Sequence, residues 1–193
     1  MNHQKTLGLT AICINLFFGG LLLPVSSKGQ SLDNLKWGAA ADGLQMSVEI
    51  AESKKVDIPE LRFIIRNVGE KDAILNLGTM LANGKTQLPD KIGFILTDAK
   101  GKTRKFDFFD GKYGAIAGRV DDYIVPLRSG STYELKIGSD KFYSMETHEI
   151  GSKLPSGKYQ IIAHFEGDGA EIRNLNTNSW KGKLQSNTLT IEK

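Results

Sequence analysis

The chain predicts an all-β fold, a single Greek-key sandwich of about nine short strands. Three observations carry that expectation. Apolar and polar residues alternate with a period of two over several stretches. Short turns rich in Gly, Asn, Asp and Ser separate those stretches. No apolar stripe with a 3.6-residue period persists beyond residue 30.

The strands are expected at 44–51, 60–67, 72–77, 91–98, 102–108, 119–127, 132–138, 158–166 and 185–191. In the second, Leu61, Phe63 and Ile65 alternate with Arg62, Ile64 and Arg66. In the seventh, Tyr133, Leu135 and Ile137 alternate with Thr132, Glu134 and Lys136. In the eighth, Tyr159, Ile161, Ala163 and Phe165 alternate with Gln160, Ile162, His164 and Glu166. One buried face per strand places Phe63, Ile65, Phe94, Leu96, Tyr133, Leu135, Tyr159, Ile161 and Phe165 in the core. It places His164 on the outward face. Turns are expected near 68–71, 99–101 and 128–131, where residues tolerate positive φ or bond their own backbone.

Leu154-Pro-Ser-Gly-Lys-Tyr159 leads from a turn into an alternating strand, the arrangement of a tyrosine corner. In such a corner the ring enters the core and the hydroxyl ties back to the preceding loop. That segment, together with Asn67-Val-Gly-Glu-Lys-Asp72 and Leu127-Arg-Ser-Gly-Ser131, resembles exported bacterial immunoglobulin-like domains. The ending Trp180-Lys-Gly-Lys-Leu-Gln-Ser-Asn-Thr-Leu-Thr-Ile191 shares the resemblance. It implies an immunoglobulin-like or fibronectin type III-like topology and no active site. A looser similarity to immunoglobulin-like bacterial proteinase inhibitors comes without an inhibitory loop signature.

The first residues read as a signal peptide. Lys5 precedes an almost wholly apolar run from Leu7 to Val25, Pro24 breaks any helix, and Ser26 and Ser27 give a small-residue exit. Cleavage is expected after Ser27 or Gly29. The expected divisions are a signal at 1–29, a short leader at 30–43 and a domain at 44–193. The expected location is periplasmic or extracellular. The alternative is tethering by an uncleaved helix, which Asn15, Gly19, Gly20 and Pro24 weaken. Cys13 is a poor lipid-anchor site, because bulky Ile12 precedes it and the apolar run continues past it.

Charge and cysteine use then narrow the chemistry. The full chain carries 25 basic and 22 acidic residues, a net of +3, and losing Lys5 and Lys28 with residues 1–29 leaves +1. That balance favours neither nucleic acid nor insertion of the mature domain into a membrane. Cys13 is the only cysteine, so the domain has no thiol nucleophile and no thiolate metal site. Met145 and His148 are a copper-type pair, but their loop supplies no further converging set of ligands. No Gly-x-Ser-x-Gly elbow or phosphate loop occurs. Asp107-Phe-Phe-Asp-Gly111 and Glu166-Gly-Asp-Gly-Ala-Glu171 lack calcium-loop spacing. No enzyme, cofactor or metal is therefore expected.

The expected function is a non-enzymatic binding or structural module whose partner is a protein or cell-envelope component. Strand parity would gather the connections 52–59, 78–90, 109–118 and 139–157 at one end of the sandwich. The tight turns would lie at the other, with 167–184. Met80, Leu81, Tyr113 and Ile116 are the expected partner contacts. The alternative function is inhibition of a secreted or periplasmic proteinase. A copper carrier or enzyme built on His148 and Met145 is a third reading.

Overall fold

Residues 34–51, 59–81, 84–109, 119–172 and 176–193 are described by the computed structural model, all within the unit Asp33–Lys193. The chain is all-β. Its order is β1 (Leu44–Ala51), β2 (Glu60–Asn67), β3 (Ala73–Leu81), β4 (Thr86–Leu88), β5 (Ile92–Asp98), β6 (Thr103–Phe108) and β7 (Val120–Leu127). There follow β8 (Thr132–Gly138), β9 (Phe142–Ser144), β10 (Glu149–Ile150), β11 (Lys158–Asp168), β12 (Glu171–Ile172), β13 (Thr177–Asn178) and β14 (Lys181–Glu192). All ladders are antiparallel, in sheets ordered β1-β2-β8, β4-β3-β7, β10-β9-β6-β5-β11-β14 and β12-β13.

The period-two pattern does what it predicts. Phe63, Ile65, Phe94, Leu96, Tyr159, Ile161 and Phe165 are all buried in one core. Tyr133 and Leu135 are only half-buried, because β8 ends its sheet and lacks a neighbour on its second side. The centre of the core is aromatic. Phe94 stacks on Phe106 at 5.0 Å and meets Phe142 edge-on at 5.0 Å. Such pairs add about 0.5–1.5 kcal/mol beyond area burial. The Tyr159 hydroxyl donates to the carbonyl of Pro155 at 2.9 Å, as the corner motif requires.

Four features depart from the sequence reading. Strand β3 continues past residue 77 to Leu81 through a bulge at Gly78, where the pairing with β7 shifts. Gly78 has φ of 142°, and a Cβ there would lie 2.3 Å from the Leu88 carbonyl oxygen. The residues expected to be a leader are packed against the strands. Leu35 is buried, Gly38 N–H donates to the Met46 carbonyl, and Ser47 Oγ donates to the Lys36 carbonyl.

The third departure is β4, too short for an alternating pattern to reveal. The 99–101 turn lies away from the other tight turns, with the carboxy-terminal residues. Asp98 pairs with Tyr159, and Lys158 with Glu192, beside the Gly157–Lys193 backbone bonds. The 68–71 and 128–131 turns instead meet each other, through Gly130 N–H to the Asn67 carbonyl and Ser129 Oγ to the Gly69 carbonyl.

The fourth is His164, which is buried although it lies on the outward face of β11. Gly93 faces it across the ladder, and a Cβ there would come within 2.6 Å of the ring. The imidazole has sunk into the space that glycine leaves.

Candidate functional site

The β9–β10 hairpin and Phe109 beside it form an aromatic group in which Phe109 and His148 are exposed and Tyr143 is half-buried. Phe142 and Ser144 point inward and are fully buried, which turns Tyr143 outward. The turn Met145-Glu146-Thr147-His148 closes the hairpin, with Ser144 paired to Glu149 and Tyr143 to Ile150. His148 closes it at φ of 56°, a left-handed conformation that costs a non-glycine residue about 1–2 kcal/mol. A hydrogen bond of 2.8 Å between the Tyr143 hydroxyl and His148 Nδ1 offsets part of that cost. The Phe109 ring lies 5.7 Å from Tyr143, and Tyr143 lies 6.2 Å from the imidazole. Phe109 is 58% exposed and Met145 71% exposed.

A buried cation fixes this hairpin to the sheet. Arg104, on the inward phase of β6, sends Nη1 to both carboxylate oxygens of Glu149 at 3.1 and 2.9 Å. Its Nη2 reaches Asp98 at 3.3 Å. Thr147 Oγ1 also donates to Glu149, at 2.8 Å. The Arg104 hydrogen bond and then the Thr147 one hold the Glu149 carboxyl below its ordinary range. Asp98 is held low as well, first by the N–H of Lys102. The guanidinium thus spreads its two terminal nitrogens over two carboxylates, an orientation-specific arrangement that ties the hairpin to β5 and β6.

The four residues expected to touch a partner fall in different places. Leu81 is buried in the core at the end of β3. Met80 is half-buried and packs against that core, opposite Gln87 on β4 and Asp121 on β7. Tyr113 and Ile116 lie outside the described residues. The large apolar side chains that are exposed among the described residues are Ile50, Val68, Phe109, Val120 and Met145. All but Val68 lie in or beside the connections 52–59, 109–118 and 139–157. Phe109 and Tyr143 carried no signal of their own in the sequence. Their approach depends on β6 and β9 pairing, with Asp107 opposite Tyr143.

A second cleft, of about 320 Å3, lies over His164 and is lined with charge. Lys91 pairs with Asp168 at 2.9 Å, Lys105 with Asp107 at 3.0 Å, and His164 Nε2 lies 3.6 Å from Asp107. Burial, then the nearby Lys105, holds the imidazole below its ordinary pKa. Its Nδ1 is buried without a partner. Among the described residues no group of three or more His, Cys, Asp or Glu side chains is arranged to hold a metal. No helix among them is long and apolar enough to cross a membrane.

No family model matches this chain, and no curated protein does. One solved structure, titled "X-ray structure of Northeast Structural Genomics Consortium target SoR45", aligns with 80% of this chain and 90% of its own. The identity is 15% and the TM-score 0.35, a likeness that identifies neither a fold family nor a function.

Proposed function

We propose that this chain is an exported, non-enzymatic recognition module of immunoglobulin-like or fibronectin type III-like topology, binding a protein of the cell envelope or its surroundings. The observation that carries the reading is the Phe109–Tyr143–His148 group with Met145 beside it, tied to the sheet by Arg104 and Glu149. Aromatic residues on a preorganised base are the anchors that dominate protein interfaces, and exposed methionine adapts to a partner's shape. Tyr113 and Ile116, in the connection that Phe109 opens, are proposed contacts of the same partner. Met80, half-buried on the β3–β4 hairpin, is a further proposed contact, whereas the Leu81 side chain is buried. The Tyr159–Pro155 hydrogen bond supports the topology, and the Lys5, Leu7–Val25, Ser26-Ser27 layout supports export.

Photo-crosslinking in intact cells tests the surface. A photoreactive residue replacing Phe109 should give a discrete heavier adduct, and one replacing the exposed Thr188 should not. Adding Tyr143→Ala and Met145→Ser should remove the adduct while the thermal midpoint holds. Identical adducts from both positions, or none from Phe109, would place the working surface elsewhere.

A further inference from the structure

A separate cleft, of about 530 Å3, opens where Trp180 plugs one end of the core, remote in sequence from the β9–β10 hairpin. We propose that it binds carbohydrate, one or two neutral or amino-sugar pyranose units, with Trp180 as the stacking platform. The indole is locked in place. Its six-membered ring lies against the cross-strand pair Gly167–Gly182, where a Cβ on either glycine would approach to 2.7 or 2.6 Å. Phe165 stacks beside it at 5.8 Å. Trp180 Nε1 donates to the Asp42 carbonyl at 3.3 Å, and its backbone N–H donates to the Ile74 carbonyl at 2.7 Å. The ring is nonetheless only half-buried, and it lines the cleft.

The walls are preformed. The Asn67 side chain donates to the carbonyls of Lys71 and Leu127 and accepts from Gly69 N–H. Val68 and Gly69 N–H both donate to the Gly43 carbonyl, at 2.7 and 3.0 Å. The third wall is tied by Ser179 N–H to the Ala170 carbonyl at 2.9 Å. Binding there costs little ordering of protein, which favours a small ligand that makes few contacts.

The rim sets the ligand's chemistry. The side chains of Asp42, Glu70, Thr177 and Asn178 line the cleft and make no hydrogen bond among the described residues. Asp72 accepts from Ser129 N–H through Oδ1 at 3.0 Å, which leaves its other oxygen available. These groups are mainly acceptors, matched to a ring of hydroxyl donors. The apolar C–H face of a pyranose presents positive hydrogens to the negative face of an indole. Three carboxylates against the single cation Lys71 repel acidic sugars and phosphates and welcome an ammonium.

Trp180 fluorescence, isolated by replacing Trp37 with Phe, provides the test. The titrants are a β-linked glucose oligosaccharide, a chitosan oligosaccharide, an oligogalacturonate and a lysine-rich peptide, each to millimolar concentration. The neutral or amino oligosaccharide should give a saturable change. Asn178→Ala and Glu70→Ala, both on exposed rim positions, should each raise half-saturation about fivefold without moving the thermal midpoint. The proposal is overturned if no titrant responds, if only the oligogalacturonate or the peptide does, or if both rim variants bind like the parent. The Phe109 crosslinking experiment is independent of every one of these outcomes.

Discussion

Asn187 makes to Val48 both hydrogen bonds that a neighbouring strand would make. Its Oδ1 accepts from Val48 N–H at 2.9 Å, and its Nδ2 donates to the Val48 carbonyl at 3.3 Å. Strands β1 and β14 belong to different sheets, so this carboxamide substitutes for a missing ladder at their seam. A pairing shift lies here in β14, where Ile162 faces Thr188 but His164 faces Gln185. Ser186 fills the gap by accepting from Ala163 N–H at 2.9 Å.

Asn187→Ala should therefore lower stability by about 1–3 kcal/mol, the cost of leaving partly buried backbone groups unpaired. Asn187→Asp should restore little, because it keeps the acceptor and loses the donor. Denaturant melts of both variants check this. A midpoint unchanged in the alanine variant would show that water replaces the carboxamide fully.

Phe165→Ala should cost about 3–5 kcal/mol. The side chain is fully buried and also backs Trp180 at 5.8 Å. Chemical denaturation measures the loss, and the same variant should change Trp180 fluorescence in the folded state.

His164 should make the fold sensitive to mild acid. Burial holds its folded pKa below the ordinary value of about 6.5 that the unfolded chain keeps. Above about pH 6.5 both states are neutral and nothing is lost. As the pH falls through that value the unfolded chain takes up the proton first, so stability declines. The decline stops at the folded pKa. Asp107 and Glu166 oppose the shift, and Lys105 reinforces it. His164→Gln should flatten this part of the stability profile. An unaltered slope just below about pH 6.5 would assign it to other groups.

Gly93→Ala should destabilise by about 1–3 kcal/mol, as overpacking does. The new methyl would lie 2.6 Å from both the imidazole Cε1 and the Phe106 carbonyl oxygen. Combining it with His164→Ala should recover only the part owed to the ring, since the carbonyl stays. A double-mutant cycle measures that share.

Arg104→Lys should loosen the β9–β10 hairpin despite keeping the charge, because one ammonium cannot bridge Glu149 and Asp98 as the guanidinium does. Faster amide exchange confined to residues 143–149, with partner crosslinking at Phe109 reduced, is the expected result. Exchange unchanged across the hairpin would show that Arg104 does not stiffen it.

The alternating strands were legible because each buries one face, and Phe63, Phe94, Ile161 and Phe165 follow from that alone. His164 was not, because its burial depends on a glycine on another strand. Nor was β4, whose three residues hold no period. The β3 extension was half-visible, since a lone glycine in a strand signals a bulge as readily as an end. For the candidate site, the sequence named the connections 109–118 and 139–157, beside or within which Phe109 and Tyr143 stand, but it chose other residues as contacts and read His148 only as half of a copper-type pair. It could not join Phe109 to Tyr143, since their contact depends on register 34 positions apart in the chain.

The carboxamide at the seam also sets when folding can finish. Val48 and Asn187 are separated by 139 positions, and β14 supplies one whole side of the six-stranded sheet. A chain emerging amino-terminus first can form the β1–β2 hairpin early, but it cannot close the core until its last dozen residues are free. Non-local closure of this kind is slow and comes late. Until β14 is in place, the six-stranded sheet lacks one edge and the seam with β1 stays unmade.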